Sequence, residues 1–392
     1  INAPFEEPLY ETTEELLVQP KITNLESDNS SKTIENSTEF VSVWNNAKRK
    51  LILVGVNEAN VIDKEIIENL ASDPSIVVLT ETTSNLHHPS FINSIDTLIT
   101  PFDDSDFKEF NPEVLVTFGG MVVSKRIKGF LRKYKPEHHW HIDTLRAYDT
   151  FGALTKHFEM LPNDFFKDLL SKTSFVESDY FKNIEDVYKT RLVKRKEYLN
   201  QIDFSDFKVF EKVVETLPKN SILQISNSSA IRYAQLVDID DSIEVFCNRG
   251  TSGIDGSTST AVGAAVGNDK QTVFITGDIS FLYDSNALWN SYIPKNFKVI
   301  LVNNGGGGIF RILPGHQEKH VFNTYFETSH QLTAEHLAKM YQCNYFTAND
   351  LTSLNGSLRL FYEADNAPAI LEIFTPTTAN DIILKQYFRN LI

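Results

Sequence analysis

Apolar positions in this chain fall into short blocks separated by longer polar, helix-compatible stretches. Leu51-Ile52-Leu53-Val54-Gly55, Ile76-Val77-Val78-Leu79 and Val114-Leu115-Val116-Thr117-Phe118 are unbroken runs of strand length. Runs without polar alternation belong to strands buried on both faces, as in parallel sheets. A helix is predicted over 62–70 and a basic one over 124–135, after Gly119-Gly120. Residues 180–200 form one long charged helix, and the alternation then resumes. Helices are predicted over 207–216, 229–236, 257–267 and 379–390; strands over 221–225, 243–246, 273–276, 297–302 and 369–374. Strand alternating with helix predicts parallel sheets covered by helices on both faces.

The fold class is therefore α/β, with two Rossmann-like open parallel-sheet domains, the first of five or six strands. The expected boundaries are a linker over 1–40, a central domain over 41–175, a connecting helix over 176–205 and a C-terminal domain over 206–392. The linker rests on residues 10–40, which are acidic, Ser/Asn-rich and without period. A chain of 392 residues is long enough for two domains. No apolar run approaches a membrane span. A net charge of −15 argues against nucleic acid, because neutralising phosphates needs clustered Lys and Arg. Cys247 and Cys343, the only cysteines, read as core residues in a reducing compartment.

The densest chemistry lies between 273 and 310, VFITGDISFLYDSNALWNSYIPKNFKVILVNNGGGGIF. One strand ends in Gly277-Asp278; the next ends in Asn303-Asn304 followed by four glycines. Ligands of open parallel sheets bind outside the carboxyl ends of the strands, so a carboxylate and a carboxamide face one crevice. Such oxygen donors suit a hard cation like Mg²⁺, which usually keeps phosphate and water in its shell. Glycines let the backbone approach a ligand closely. A diphosphate held through a metal is the chemistry suggested, although Gly-Asp after a strand also serves as a plain turn or cap.

The Gly-Asp pair, the Asn-Asn pair and the glycines resemble the diphosphate motif of thiamine-diphosphate (ThDP) enzymes. That resemblance implies ThDP with Mg²⁺ (or Mn²⁺) as cofactors, and a ThDP diphosphate-binding fold for the C-terminal domain. The implied metal ligands are Asp278, Asn304 and the backbone oxygen of Gly306; Gly277, Ile279 and Ser280 would lie beside the cofactor. Ile279-Ser280 stand where the family usually has Gly, and this resembles the MenD branch, synthases of menaquinone biosynthesis. Asn248-Arg249-Gly250-Thr251-Ser252-Gly253-Ile254-Asp255-Gly256 resembles that branch's NRGxxGIDG segment. It implies that Asn248 and Gly250 meet the cofactor and that Ile254 wedges beneath it. Ser226-Asn227-Ser228-Ser229-Ala230-Ile231-Arg232 resembles its N-S-x-x-x-R segment, with Ser228 and Arg232 at the substrate. Arg249 is a second carboxylate-binding candidate, or else the ion-pair partner of Glu244. Ile309-Phe310 match an apolar wall of the family's pocket, or are ordinary core. Lys125-Arg126 match a Lys-Arg pair that the middle domain lends to the substrate; otherwise Lys125, Arg126, Lys128, Arg132 and Lys133 form a solvated face.

The resemblance implies a transferase that decarboxylates 2-oxoglutarate and adds the succinyl unit to isochorismate. It implies a cytoplasmic homo-oligomer, a dimer or a dimer of dimers. The opening INAPFEEPLYE is similar to the end of the family's first domain. The chain is thus expected to be a fragment lacking the pyrimidine-binding domain and its catalytic Glu. No residue here is then assigned a catalytic role, and the fragment alone is expected to be inactive. Two other readings stay open. One is another ThDP decarboxylase or carboligase such as acetohydroxyacid synthase, a group that generally keeps Gly-Asp-Gly. The other is a non-catalytic ThDP-binding scaffold. Gly119-Gly120 reads as a tight turn, since no full GxGxxG is present. In His138-His139-Trp140-His141 only His139 and His141 can share a strand face, too few ligands for a zinc site.

Overall fold

A computed structural model describes residues 33–312 and 319–392, together with the isolated positions 2, 4, 14, 15 and 19. Most of the expected linker lies outside the described residues; a helix, Ser37–Asn46, takes up its last few positions. The first sheet comprises β1 (Lys50–Val54), β2 (Ile76–Leu79), β3 (Val114–Phe118), β4 (His138–Ile142) and β5 (Lys156–Phe158). Their order is β2-β1-β3-β4-β5, and every pairing is parallel. Successive side chains of a strand face opposite ways. Accordingly Ile52 and Val54 enter one core cluster while Leu51 and Leu53 enter another. Both faces are covered, which is why these strands read as continuous apolar runs.

The second sheet contains β6 (Ile222–Ile225), β7 (Glu244–Cys247), β8 (Thr272–Gly277), β9 (Lys298–Asn303), β10 (Asn344–Ala348) and β11 (Ala369–Phe374). Their order is β10-β11-β9-β8-β6-β7, again wholly parallel. The chain leaves β6 toward β7 on one side and leaves β8 toward β9 on the other. Between β6 and β8 this reversal opens the crevice in which α/β sheets hold ligands. Helix Tyr180–Gln201 joins the two units physically: Tyr180, Ile184 and Tyr188 enter the first core and Leu199 the second.

Polar contacts also lock the sheets together. Asn85, in the left-handed region at φ 46°, bonds both the N–H and the carbonyl of Val245 on edge strand β7. Ser94 Oγ donates to the Gln235 carbonyl, and Thr97 Oγ1 lies 2.8 Å from the Tyr387 hydroxyl.

Gly119-Gly120 is a tight turn packed on Gly55, where an added Cβ would come within 1.9 Å of the Gly120 carbonyl oxygen. His139 and His141 share a face and converge on one hydroxyl, Thr117 Oγ1, at 2.9 and 2.8 Å. Burial, with His141 adding to it, pushes His139 down to about 4, and burial lowers His141 as well. Both thiols are half-buried, and burial pushes Cys247 up to about 12 and Cys343 to about 11, consistent with unreactive core positions. Among the described residues no helix is long and apolar enough to cross a membrane.

Candidate functional site

The β6/β8 crevice holds a cavity of about 420 Å³ built from the carboxyl ends of three strands and one folded-over segment. β6 delivers Asn227, Ser228 and Ser229; β8 delivers Gly277, Asp278, Ile279 and Ser280; β9 delivers Asn304 and the glycines. Ile254 and Asp255 close one side, while Ile309, Phe310 and the stretch 325–328 close another.

Asp278 is buried, and its Oδ2 accepts the Gly306 N–H at 2.9 Å. Across from it His330 Nε2 lies 3.3 Å from Oδ2, close enough to pair as ions but not aligned for a hydrogen bond. The carboxylate raises the His330 imidazole above its ordinary value. Asn304 Nδ2 donates to Asp206 Oδ2 at 2.8 Å. Burial pushes Asp206 up to about 6, against the pull of hydrogen bonds from Thr375 and Asn304. The Gly306 carbonyl oxygen accepts from Gly308 N–H at 3.0 Å. A Cβ on Gly306 would sit 2.8 Å from the Glu327 carbonyl oxygen, so only glycine lets the two walls approach this closely.

Around Asn227 a second set of contacts shapes the Asn248–Gly256 loop. Its amide donates to the carbonyls of Asn248 and Gly253, while its Oδ1 accepts from Arg249 Nη1 at 2.9 Å. Arg249 therefore does not pair with Glu244, which binds Lys270 instead. Ser228 carries φ 73° and ψ −127°, a conformation that L side chains rarely adopt. Strain of this kind persists only where the surroundings impose it, commonly at functional sites.

The expected residues thus divide. Ser228, Ile254, Gly277, Asp278, Ile279, Ser280, Asn304, Gly306, Ile309 and Phe310 line one cavity. Asn248, Arg249 and Gly250 do not line it, although Asn227 ties the loop to its rim. Arg232 lines a separate small cleft with Asp96, Ser124 and Gln235. Burial lowers Arg232; Asp96 counters this and Arg249 adds to it. Lys125 and Arg126 are exposed, with the Arg126 guanidinium 5.0 Å from the Phe388 ring centre.

Lys128 departs from the solvated-face reading. It is half-buried, donates to the Val122 carbonyl at 2.9 Å and senses Glu81, Arg249 and Arg232. Asp206, His330 and the pair Arg311–Glu327 belong to no motif and are conspicuous only once the chain is folded, whereas Asn227 stands in the N-S-x-x-x-R segment without a role of its own there. Arg311 and Glu327 form a buried two-point ion pair that ties the glycine-rich turn to the helical segment Phe322–Glu327. Single Asp, Asn or His residues at these places carry no spacing signal.

The donor set suits a metal and a diphosphate. Asp278 brings a carboxylate, Asn304 an amide oxygen and Gly306 a peptide oxygen, all hard donors suited to Mg²⁺ or Mn²⁺. Among the described residues no group of three or more His, Cys, Asp or Glu is placed to hold a metal, so a zinc-type site has no support. The cavity is large enough for a cofactor. The residues fit the group.

Residues 228–373 match the family described as "Thiamine pyrophosphate enzyme, C-terminal TPP binding domain". That stretch is thus of the thiamine-diphosphate-binding class. It is 77% identical over 392 residues to the 2-succinyl-5-enolpyruvyl-6-hydroxy-3-cyclohexene-1-carboxylate synthase of Flavobacterium johnsoniae, matching 100% of this chain and 71% of that protein. The synthases of the same name from Flavobacterium psychrophilum and Christiangramia forsetii are 61% and 47% identical over 391 and 393 residues. They match 100% and 99% of this chain, and 70% and 68% of their own lengths. The chain belongs to the 2-succinyl-5-enolpyruvyl-6-hydroxy-3-cyclohexene-1-carboxylate synthase family.

Proposed function

We propose that this chain serves a ThDP- and Mg²⁺- (or Mn²⁺-) dependent synthase of menaquinone biosynthesis, which decarboxylates 2-oxoglutarate and joins the remaining succinyl unit to isochorismate. The observation that carries the reading is the meeting of Asp278, Asn304 and Gly306 at the carboxyl ends of β8 and β9, inside the segment that matches the cofactor-binding domain. Asp278, the Asn304 amide oxygen and the Gly306 peptide oxygen would hold the metal. Gly277, Ile279 and Ser280 would flank the diphosphate, Ile254 would support the cofactor from beneath, and Asn248 and Gly250 would close the loop over it. When bound, ThDP supplies the carbon nucleophile and the electron sink for loss of CO₂.

The protein's own residues bind, orient and shield. Both substrates carry two carboxylates, and a guanidinium fork can bond each carboxylate twice. Among the described residues the buried Nε atoms of Arg232 and Arg249 have no hydrogen-bond partner, which leaves donors for a ligand. Lys128 adds a third cation, with Glu81 and Asp96 offsetting the charge when no substrate is bound. Lys125 lies on the same helix and is exposed enough to reach a bound acid. Ser228 stands at the cavity as a hydroxyl donor. Ile309 and Phe310, the latter edge-on to Phe326, make an apolar wall that keeps water from the reacting carbon. A cytoplasmic homo-oligomer, dimeric or tetrameric, completes the reading.

The test uses the full-length protein. Mg²⁺-dependent quenching of intrinsic fluorescence by ThDP should vanish in Asp278→Ala while the far-UV spectrum is retained. Consumption of 2-oxoglutarate should rise when isochorismate is added. Unchanged Mg²⁺-dependent quenching in Asp278→Ala would remove the basis of the proposal.

A further inference from the structure

An asparagine side chain can present either its oxygen or its NH₂ to a cavity, and only the oxygen can bind a cation. What decides the matter is the partner at the other end of the amide. For Asn304 that partner is Asp206, a residue 98 positions away in sequence.

Asp206 is the first residue of helix Asp206–Glu215 and is 3% exposed. Its Oδ2 accepts the Asn304 amide and its Oδ1 accepts the Thr375 hydroxyl at 2.5 Å, while its backbone N–H donates to Asn380 Oδ1 at 2.9 Å. The carboxylate thus takes donors from the ends of β9 and β11, while the residue's backbone is tied to the terminal helix. Among the described residues no Lys, Arg or His forms an ion pair with it. A buried acid without a cation is unfavourable unless several donors surround it. Here its geometry has one evident effect, because a carboxylate can only accept from the amide NH₂. Asn304 Nδ2 is held toward the protein interior, and Oδ1 is left on the cavity side, where no protein donor among the described residues reaches it. The neighbouring Asn303 is held in the same manner. Its Nδ2 donates to buried Glu372 at 2.7 Å, so its Oδ1 is free to accept the Gly305 N–H at 3.0 Å and set the turn.

We infer that Asp206 is a positioning residue that holds Asn304 oxygen-first toward the Asp278 side of the cavity, so that the metal site is formed before the metal arrives. The inference rests on the metal reading proposed above. It names no contact between Asp206 and the metal: Asp206 acts through the Asn304 amide.

Mn²⁺ titration in the presence of ThDP, followed by electron paramagnetic resonance of the free ion, tests it on the full-length protein without recourse to activity. Asp206→Ala should weaken Mn²⁺ by roughly 10- to 100-fold, the usual effect of removing the group that orients a metal ligand. Asp206→Asn should stay within about threefold of wild type, because the new amide can still accept from Asn304 while donating to Thr375 Oγ1. Wild-type affinity in Asp206→Ala overturns the inference. So does a loss in Asp206→Asn as large as in Asp206→Ala, since charge rather than orientation would then be at work. If Asp206→Ala does not fold, the double variant D206N/T375V takes its place. Without the Thr375 hydroxyl nothing directs the new amide oxygen-first, and a loss of the same order is expected; wild-type affinity again overturns the inference. Absence of Mn²⁺ binding by the wild-type protein with ThDP would instead remove the metal site itself, a different result from any of these.

Discussion

Replacing Asn85 by Ala is expected to loosen the join between the two sheets and, through it, the loop that carries Arg249. Asn85 is 5% exposed and Val245, which it bonds, is 1% exposed. The side chain accepts the Val245 N–H at 2.7 Å and donates to the Val245 carbonyl at 3.0 Å and the Asn57 carbonyl at 2.9 Å. β7 is an edge strand, so on this side Val245 has no neighbouring strand to take over. Truncation leaves one buried N–H and one buried carbonyl unpaired, at about 1–3 kcal/mol each. Alanine at φ 46° adds about 1 kcal/mol that asparagine or glycine largely avoids. The sum is about 3–7 kcal/mol, a large part of the stability of an ordinary domain. Asn85→Gly should recover only the conformational part. Denaturant unfolding gives the magnitude, and amide hydrogen exchange at Val245 gives the location. A loss below about 1 kcal/mol with unchanged exchange at Val245 would refute the claim that this side chain substitutes for a strand.

Other expectations follow from single sites. Arg249→Ala should lower kcat/KM by about 2–4 kcal/mol, roughly 30- to 1,000-fold, with little change in Tm, because among the described residues its hydrogen-bond partner is Asn227. Arg249→Lys should restore only part of the activity, since a point charge lacks the guanidinium fork; a lowered Tm with intact kinetics would make Arg249 structural. Glu81, buried against the Val123 and Ser124 N–H groups with Asp96 and Lys128 facing it, is pushed by burial up to about 7. Its folded value lies above the model-peptide value, so its contribution to stability is full below about pH 4.5 and is lost as pH rises through about 7. The loss is about 3 kcal/mol at most. Glu81→Gln should flatten that part of the stability–pH curve, and an unaltered slope in urea titrations at pH 5 and 7.5 would contradict this assignment.

Those contacts also explain how far the sequence could be read. Strands buried on both faces must be apolar at every position, so β1, β2, β3 and β11 lie where unbroken Val, Ile and Leu runs predicted them. β10, Asn344-Tyr345-Phe346-Thr347-Ala348, escaped because an edge strand is only half covered and keeps polar residues. Helix Leu351–Glu363 escaped with it, although Asp350 and Ser353 form a capping box at its start. The helix after Asp278 is a mere six residues before the chain tightens at Ser285–Trp289, a change of pitch that period alone does not reveal.

For the site, legibility depended on where the constraint was written. Asp278, Asn304 and the glycines are close in sequence because a strand, a helix and a strand bring them together, and fixed lengths leave a fixed spacing. Lys128 was misread for the opposite reason. Its five-cation neighbourhood has the composition of a solvated face, yet the helix brings this one side chain under the charges of Glu81 in its own unit and of Arg232 and Arg249 in the other. Asp206, Asn85 and Glu81 belong to the same category. Each is a single polar residue whose partners lie on another element, and its burial is decided by tertiary packing that no local pattern encodes. Buried polar groups must be satisfied wherever they occur. Tracing which donor satisfies which acceptor therefore finds such residues directly, and here it leads from the motif at Asn304 to a carboxylate that no motif contains.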